Sequence, residues 1–274
     1  SLKIERNKFH KWLDNNNKSV EFLFHMGAKT DTTIKNKNLL NKLNLEYSKI
    51  IFNICTKYDI PLVYASSAAT YGLGEHGYID DHKTIYKLKP LNLYGESKNE
   101  FDKYLISQTS DPFFWVGLKF FNVYGPNEYH KGKMASVIFH SFNQIKKEGV
   151  VKLFKSYNNN FKDGEQKRDF VYVKDVIDVC YYFMNNYKNS GIYNLGTGKA
   201  RTFLDLVKCV FNSLGKEEKI EFIDMPKEIR KNYQYFTQAD ITKLRNIGYK
   251  KAFYDTESGI EDYIKNYLSI GKYY

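Results

Sequence analysis

Cysteine is scarce, with 3 in 274 residues. Cys55, Cys180 and Cys209 are far apart and show neither a CxxC pair nor a Cys/His ligand spacing. That usage argues against a disulfide framework and against a zinc site, and it is the usage expected of a reducing cytoplasm. Arginine is scarce too: Arg6, Arg168, Arg201, Arg230 and Arg245 are the only five among 42 basic residues, against 31 acidic ones, for a net charge of +11. The remaining basic residues are Lys, spread along the chain without the dense run of a nucleic-acid-binding arm. The excess therefore reads as a Lys-rich solvated surface, compatible with a small anionic substrate and with no nucleic-acid partner. Long apolar runs are missing. The longest, Phe113 to Leu118, stops at Lys119, far short of the ~20 residues that span a membrane. No secretory signal pattern opens the chain, which begins at Ser1 rather than Met.

What is present is ordinary globular composition, 42% hydrophobic and 27% charged, enough to bury a sizeable core. Short apolar runs alternate with helical patterns. Val20–Ala28, Pro61–Ala68 and Phe113–Phe121 read as strands, separated by helical spacing over Asn38–Tyr58 and Lys98–Ser107. Strands that are almost continuously apolar and alternate with helices indicate a parallel sheet covered on both faces. Beyond Gly125-Pro126 the pattern loosens. A helix is expected over Met134–Lys147, a strand at Val150–Phe154, a polar loop at Tyr157–Lys167 and a strand at Phe170–Val173. A helix from Asp175, a strand at Gly191–Leu195, a helix near Thr202–Leu214 and a strand at Ile220–Ile223 complete the reading. The fold class is α/β, a Rossmann-like doubly wound parallel sheet with a smaller C-terminal substrate lobe. Residues 1–125 form the partial dinucleotide-binding domain, and 126–274 are mainly the substrate lobe, interleaved with the last sheet strands. In open α/β sheets ligands bind beyond the carboxyl ends of the strands, here the small residues Gly27-Ala28 and Ser66 to Ala69.

Tyr94-Gly95-Glu96-Ser97-Lys98 sets a Tyr and a Lys four apart, on one face of a helix. A phenol of pKa ~10 is a poor base at neutral pH, but a neighbouring ammonium favours the phenolate, so the pair can remove a proton from a substrate hydroxyl. Spacing alone carries little weight: 24 Tyr and the abundant Lys give roughly three such pairs by chance, and two occur, Tyr94/Lys98 and Tyr129/Lys133. Context separates them. Tyr94 opens a helix after the strand ending at Ser66-Ser67, where a hydroxyl can align the same substrate oxygen; Tyr129 falls in a loop with no helix behind it.

Together, Ser67, Tyr94 and Lys98 resemble the Ser–Tyr–Lys constellation of the extended short-chain dehydrogenase/reductases. Four further words in the same order agree: Tyr64 to Gly72, Phe121 to Pro126, Arg168 to Val173 and Tyr193 to Gly198. Within that superfamily the chain is most similar to the ADP-L-glycero-D-manno-heptose 6-epimerase family, through Phe24 to Ala28, His130 to Ser136 and Tyr235 to Asp240. The resemblance implies an NADP-dependent isomerase acting on ADP-heptose for lipopolysaccharide core synthesis. It implies hydride removal from C6″, a transient ketone and return of the hydride to the other face, in a cytoplasmic homo-oligomer, a pentamer in the family.

Carried over residue by residue, Tyr94 and Lys131 are the two opposed acid/base groups, with Ser67 and Lys98 in support. Inverting a centre through a flat ketone needs a proton donor and acceptor for each epimeric alkoxide, and a Lys serves if burial or a nearby cation lowers its pKa. Lys131 otherwise reads as one more surface Lys. Met26, Gly27, Ala28, Asn44, Val123, Lys98 and Lys131 are implied along the cofactor. Asn122, Lys133, His140, Phe154, Lys155, Ser156, Tyr157, Arg168 and Tyr233 are implied at the substrate. Asn44 reads equally well as a solvent-facing helix Asn, His140 as a satisfied helix histidine and Phe154 as core. Arg168 is either a bidentate partner for diphosphate oxygens or half of a structural ion pair. No metal is implied.

Three departures stand out. No Gly-rich turn of the dinucleotide-binding type occurs in the first 30 residues, so the first strands, roughly fifty residues in the family, are expected to precede a sequence that is incomplete as it stands. The competing expectation is a truncated, inactive remnant. Asn127 stands where the family has Arg, and Lys133 where it has Ser. Another sugar-nucleotide epimerase or dehydratase of the superfamily is the alternative enzyme, although Ala68-Ala69 after Ser67 lacks the Asp-Glu pair that elimination of water requires.

Overall fold

The computed structural model describes residues 2–109, 112, 114–230 and 233–274. Phe113, the first residue of the expected strand Phe113–Phe121, lies outside the described residues. The strands are β1 (Leu23–His25), β2 (Leu62–Ser67), β3 (Trp115–Phe120), β4 (Asn122–Tyr124), β5 (Val151–Phe154), β6 (Lys167–Tyr172), β7 (Gly191–Leu195), β8 (Ala200–Thr202) and β9 (Ile220–Ile223). The chain divides into two compact units, Ser1–Phe120 with Cys180–Asn194, and Phe121–Val179 with Leu195–Tyr274.

The first unit is built on a sheet of order β1-β2-β3-β7. β1 runs parallel to β2, with His25 opposite Tyr64, and β2 runs parallel to β3, with Ser67 opposite Phe120. Parallel neighbours need crossover segments, and helices supply them. Lys37–Leu40, a wide π turn at Asn41–Glu46 and Tyr47–Tyr58 form one continuous helical run between β1 and β2, and Leu93–Ile106 lies between β2 and β3. Asp59, left-handed at φ 53°, terminates the first run. All six residues of β2 are buried, as a central strand covered on both faces requires. β1 is only three residues long, shorter than the expected Val20–Ala28, because only Leu23–His25 pairs with β2.

The second unit holds a three-stranded sheet, β4-β6-β8, and the parallel pair β5-β9. β4 is parallel to β6 and β6 antiparallel to β8. Ile138, Phe142 and Ile145 of the Val137–Glu148 helix pack in its core with Leu206, Val210 and Phe211 of the Phe203–Leu214 helix and with Ile260 and Tyr263. Thr202 and Asp205 cap the Phe203 helix reciprocally. The strand expected at Phe170–Val173 begins earlier, at Lys167, since Lys167 pairs with Thr202 across β6 and β8. Tyr129 opens a short 3₁₀ segment, Tyr129–Met134, rather than lying in open loop, and Gly132 kinks that segment at φ 53°. The Tyr129 hydroxyl donates to the Lys272 carbonyl at 2.7 Å, so a structural bond occupies the other Tyr/Lys pair. No described helix is long and apolar enough to cross a membrane.

Candidate active site

In the first unit Ser67 ends β2 and caps the turn Ala68–Tyr71, its hydroxyl accepting from the Ala69 N–H at 3.1 Å. Asn92 caps the Leu93–Ile106 helix by accepting from the Gly95 N–H at 2.8 Å, which puts Tyr94 in the first turn. Gly95 is required for that docking: a Cβ there would lie 2.7 Å from the Ala69 carbonyl oxygen and 3.0 Å from Pro90 Cβ. With the helix this close, the Tyr94 phenol faces Ser67, whose hydroxyl draws its pKa down. One turn on, Lys98 is buried and its Nζ donates to the Ala65 carbonyl at 2.6 Å. Tyr94 and Lys98, 27 and 31 residues after Ser67, thus meet it at the carboxyl end of β2.

The electrostatics differ from the expectation of a phenol made acidic by its Lys neighbour. Burial pushes the Tyr94 phenol above its ordinary value; the Ser67 hydroxyl pulls it down and the Asp102 charge pushes it up. Burial also lowers Lys98, to about 8, opposed by Asp102 and reinforced by Arg6. Desolvation works against both charged forms, and the Ala65 carbonyl accepts one of the Lys98 hydrogen bonds. Beside this group, β1 runs out through Met26 and Gly27 to Ala28. The Gly27 backbone is exposed, with nothing within 4 Å of where a Cβ would stand.

Asn44 is buried rather than solvent-facing. It sits in the wide π turn, a feature common at functional sites. Its amide accepts from the Lys29 N–H at 2.8 Å and donates to the Lys29 carbonyl at 3.0 Å and to Ser97 Oγ at 3.1 Å. Ser97 in turn donates to the Tyr94 carbonyl at 2.7 Å. Asn44 therefore ties the segment after β1 to the turn that carries Tyr94, a supporting position that leaves it little free hydrogen-bonding capacity. His25, hydrogen-bonded to Ser48 at 2.8 Å, is pushed down to about 4 by burial, with Lys98 and Arg6 adding to the effect.

The second unit carries the other candidates. Asn122 and Val123 lie on β4, with Asn122 exposed. Lys131 and Lys133 are both exposed on the 3₁₀ segment, so Lys131 lacks the burial a Lys base was expected to have. Glu128 brackets that segment, accepting from Ser136 N–H and Oγ at 2.6 Å each. His140 follows on the Val137–Glu148 helix, half-buried beside Phe139.

Phe154, at the end of β5, is half-buried. After it, Lys155 pairs with Asp224 at 3.2 Å, Ser156 N–H donates to Asp163, and the Tyr157 hydroxyl donates to Asp224 at 3.1 Å. Arg230 lies 3.6 Å from the Tyr157 ring centroid; it was missed in sequence, where its only signal is that it is one of five Arg. Arg168 is buried on β6, donates to the Lys167 and Gln234 carbonyls and lies 5.4 Å from the Tyr233 ring centroid. Its neighbour Asp169 accepts from Thr197 N–H and Oγ and from the Gly198 and Ala239 N–H groups at 2.7 to 3.0 Å.

A serine, a half-buried phenol and a desolvated lysine at the carboxyl end of a parallel sheet can move a proton at a carbinol, and a dinucleotide held there would supply the hydride chemistry at its carbon. The residues present suit such a dinucleotide: Gly27 leaves the backbone at the β1 terminus unobstructed, and Lys98 offers donors to a polyol. The chain belongs to the NAD dependent epimerase/dehydratase family, whose model matches residues 5–196; its cofactor class is therefore a nicotinamide dinucleotide.

Among relatives, the chain is 48% identical over 287 residues to the ADP-L-glycero-D-manno-heptose-6-epimerase of Fusobacterium nucleatum, covering 98% of this chain and 86% of that protein. It is 45% identical over 250 residues to the protein of the same name from Nitratidesulfovibrio vulgaris, covering 91% of this chain and 77% of the relative. The crystal structure of the Helicobacter pylori ADP-L-glycero-D-manno-heptose-6-epimerase matches with a TM-score of 0.80 at 32% identity, over 97% of this chain and 78% of that one.

Proposed function

We propose that this chain epimerises ADP-D-glycero-D-manno-heptose at C6″ to the L-glycero form, with NADP as the dinucleotide. The observation that carries the reading is the approach of the Tyr94 phenol to Ser67 beside buried Lys98, in a chain 48% identical to a 6-epimerase of that sugar nucleotide. Bound dinucleotide supplies the hydride acceptor that becomes the donor on return. Tyr94 takes the proton of the C6″ hydroxyl as the C–H pair leaves with its hydride and the carbon flattens to a ketone; Ser67 holds the oxygen. Lys98 orients the ribose hydroxyls of the dinucleotide. When hydride returns to the opposite face, Lys131 delivers the proton to the new alkoxide, so each epimer has its own acid/base group.

Arg168, buried on β6 with its guanidinium near the Tyr233 ring, meets the diphosphate oxygens. Asn122, Lys133, His140 and the run Phe154 to Tyr157 line the rest of the substrate path. Incubation with the D-glycero substrate and NADP, followed by anion-exchange separation of the epimers, should move a pure starting sugar toward a mixture. An unchanged epimer ratio removes this reading. Repeating the assay with NAD tests the choice of dinucleotide. We further propose a cytoplasmic homo-oligomer, a pentamer, which light scattering on the purified protein tests.

A further inference from the structure

The helix bearing Tyr94 and Lys98 carries a third polar side chain one turn further along the same face, Asp102, which is fully buried. Its carboxylate accepts from the Tyr64 hydroxyl at 2.9 Å and the Ser66 hydroxyl at 2.8 Å, both on β2, and from Lys119 Nζ on β3 at 2.7 Å. Lys119 is also fully buried; it donates to Thr70 Oγ1 at 2.6 Å and lies 5.0 Å from the Tyr71 ring centroid. Room for the Tyr64 ring comes from Gly117, where a Cβ would stand 2.4 Å from the ring. One carboxylate thus gathers the helix, β2, β3 and, through Lys119, the turn after Ser67.

Stability is a weak reason for such a pair, since a buried ion pair can often be replaced by apolar residues without loss. Its location offers a better one. The Asp102 charge reaches both reacting groups, favouring the Lys98 ammonium and disfavouring the Tyr94 phenolate. Facing Lys98 from other elements are Arg6 on the Arg6–Asn15 helix, His25 on β1 and the Ala65 carbonyl on β2.

We propose that Asp102 and Lys119 are positioning residues: Asp102 pins the helix to β2 so that Tyr94 meets Ser67 and Lys98 meets the Ala65 carbonyl, and Lys119 neutralises the carboxylate that does the pinning. The proposal rests on the assignment of Tyr94 and Lys98 as reacting groups. Without Lys119, an uncompensated carboxylate would hold Lys98 in its charged form and hold the phenol proton on Tyr94.

The test is an NMR titration of the full chain labelled with [13Cε]lysine, the Lys98 resonance being assigned by its loss in K98M. The parent midpoint is expected near 8. K119M should raise it by at least ~0.5 unit, K119R should restore it, and D102N should lower it by at least ~0.5 unit. If K119M does not fold, D102N decides. A folded K119M or D102N whose midpoint stays within ~0.2 unit of the parent overturns the proposal. No sugar or dinucleotide is present in this measurement, so failure of the parent to turn over ADP-heptose would remove the proposed function and leave the titration standing.

Discussion

The two compact units differ in the burial of the polar side chains proposed to act in the reaction or to position those that do. In the first, Lys98, Asn44, Asp102 and Lys119 are buried, and each is committed to partners on another element. Among the candidate site residues of the second, Lys131, Lys133, Lys155 and Tyr157 are exposed, and Arg168 is buried on β6. The difference matches the work proposed for each. Proton transfer at one carbon tolerates little misplacement, and Lys98 beside Tyr94 is locked by a neighbour it does not react with, whereas Lys131, the second proposed acid/base group, is exposed. Recognition of a long, flexible anion is spread over donors that can adjust.

The largest expected effect breaks the first unit's chemistry without its packing. Y94F should lower turnover by ~10²–10⁴-fold with an unchanged melting temperature, measured by epimer ratio and calorimetry; near-parent activity would move the acid/base role off Tyr94. G95A tests the lock itself. Its methyl would meet the Ala69 carbonyl at 2.7 Å, and overpacking of this kind costs about 1–3 kcal/mol. Both the denaturation midpoint and turnover should fall; a change in midpoint alone would mean that helix docking does not set the Ser67–Tyr94 contact.

His25 gives a pH signature confined to the first unit. Its folded value of about 4 lies below the ordinary histidine value of 6.5. The unfolded chain therefore binds the extra proton between those limits, and stability is full above 6.5 and is lost as pH falls toward 4. Between pH 7 and pH 5 the parent should lose about 2 kcal/mol through this group, and H25N should show no such loss. Parallel slopes for the two proteins in urea titrations would refute the assignment. The smallest effect belongs to the second unit: R168K keeps the charge but not the planar fork, so KM for the sugar nucleotide should rise ~10-fold with kcat nearly unchanged.

Which parts were legible in sequence follows from the range of the interactions behind them. The strands Gly191–Leu195 and Ile220–Ile223 coincide with their apolar runs. β1 contracted to the residues that find a partner, and the uniform helix expected over Asn38–Tyr58 contains a π turn. The π turn presents Asn44 to Lys29, 15 residues back, and periodicity carries no trace of such a bond. Ser67, Tyr94 and Lys98 could be picked out because words around them have a familiar order. Asp102 had a weaker signal, its position four residues after Lys98, and Lys119 had none beyond interrupting an apolar run.

By itself, then, the order of residues determined the alternation of strands and helices, the docking of a Tyr/Lys helix after a Ser-ended strand, and the kinship those words express. Each depends on neighbours within a few turns of chain or on short strings of residues. Tertiary structure alone decided that the phenol and amine are desolvated, that one carboxylate ties three elements beneath them, and that Lys131 is exposed. Burial and charge pairing depend on what distant segments bring to the same few ångströms, and no local pattern specifies that.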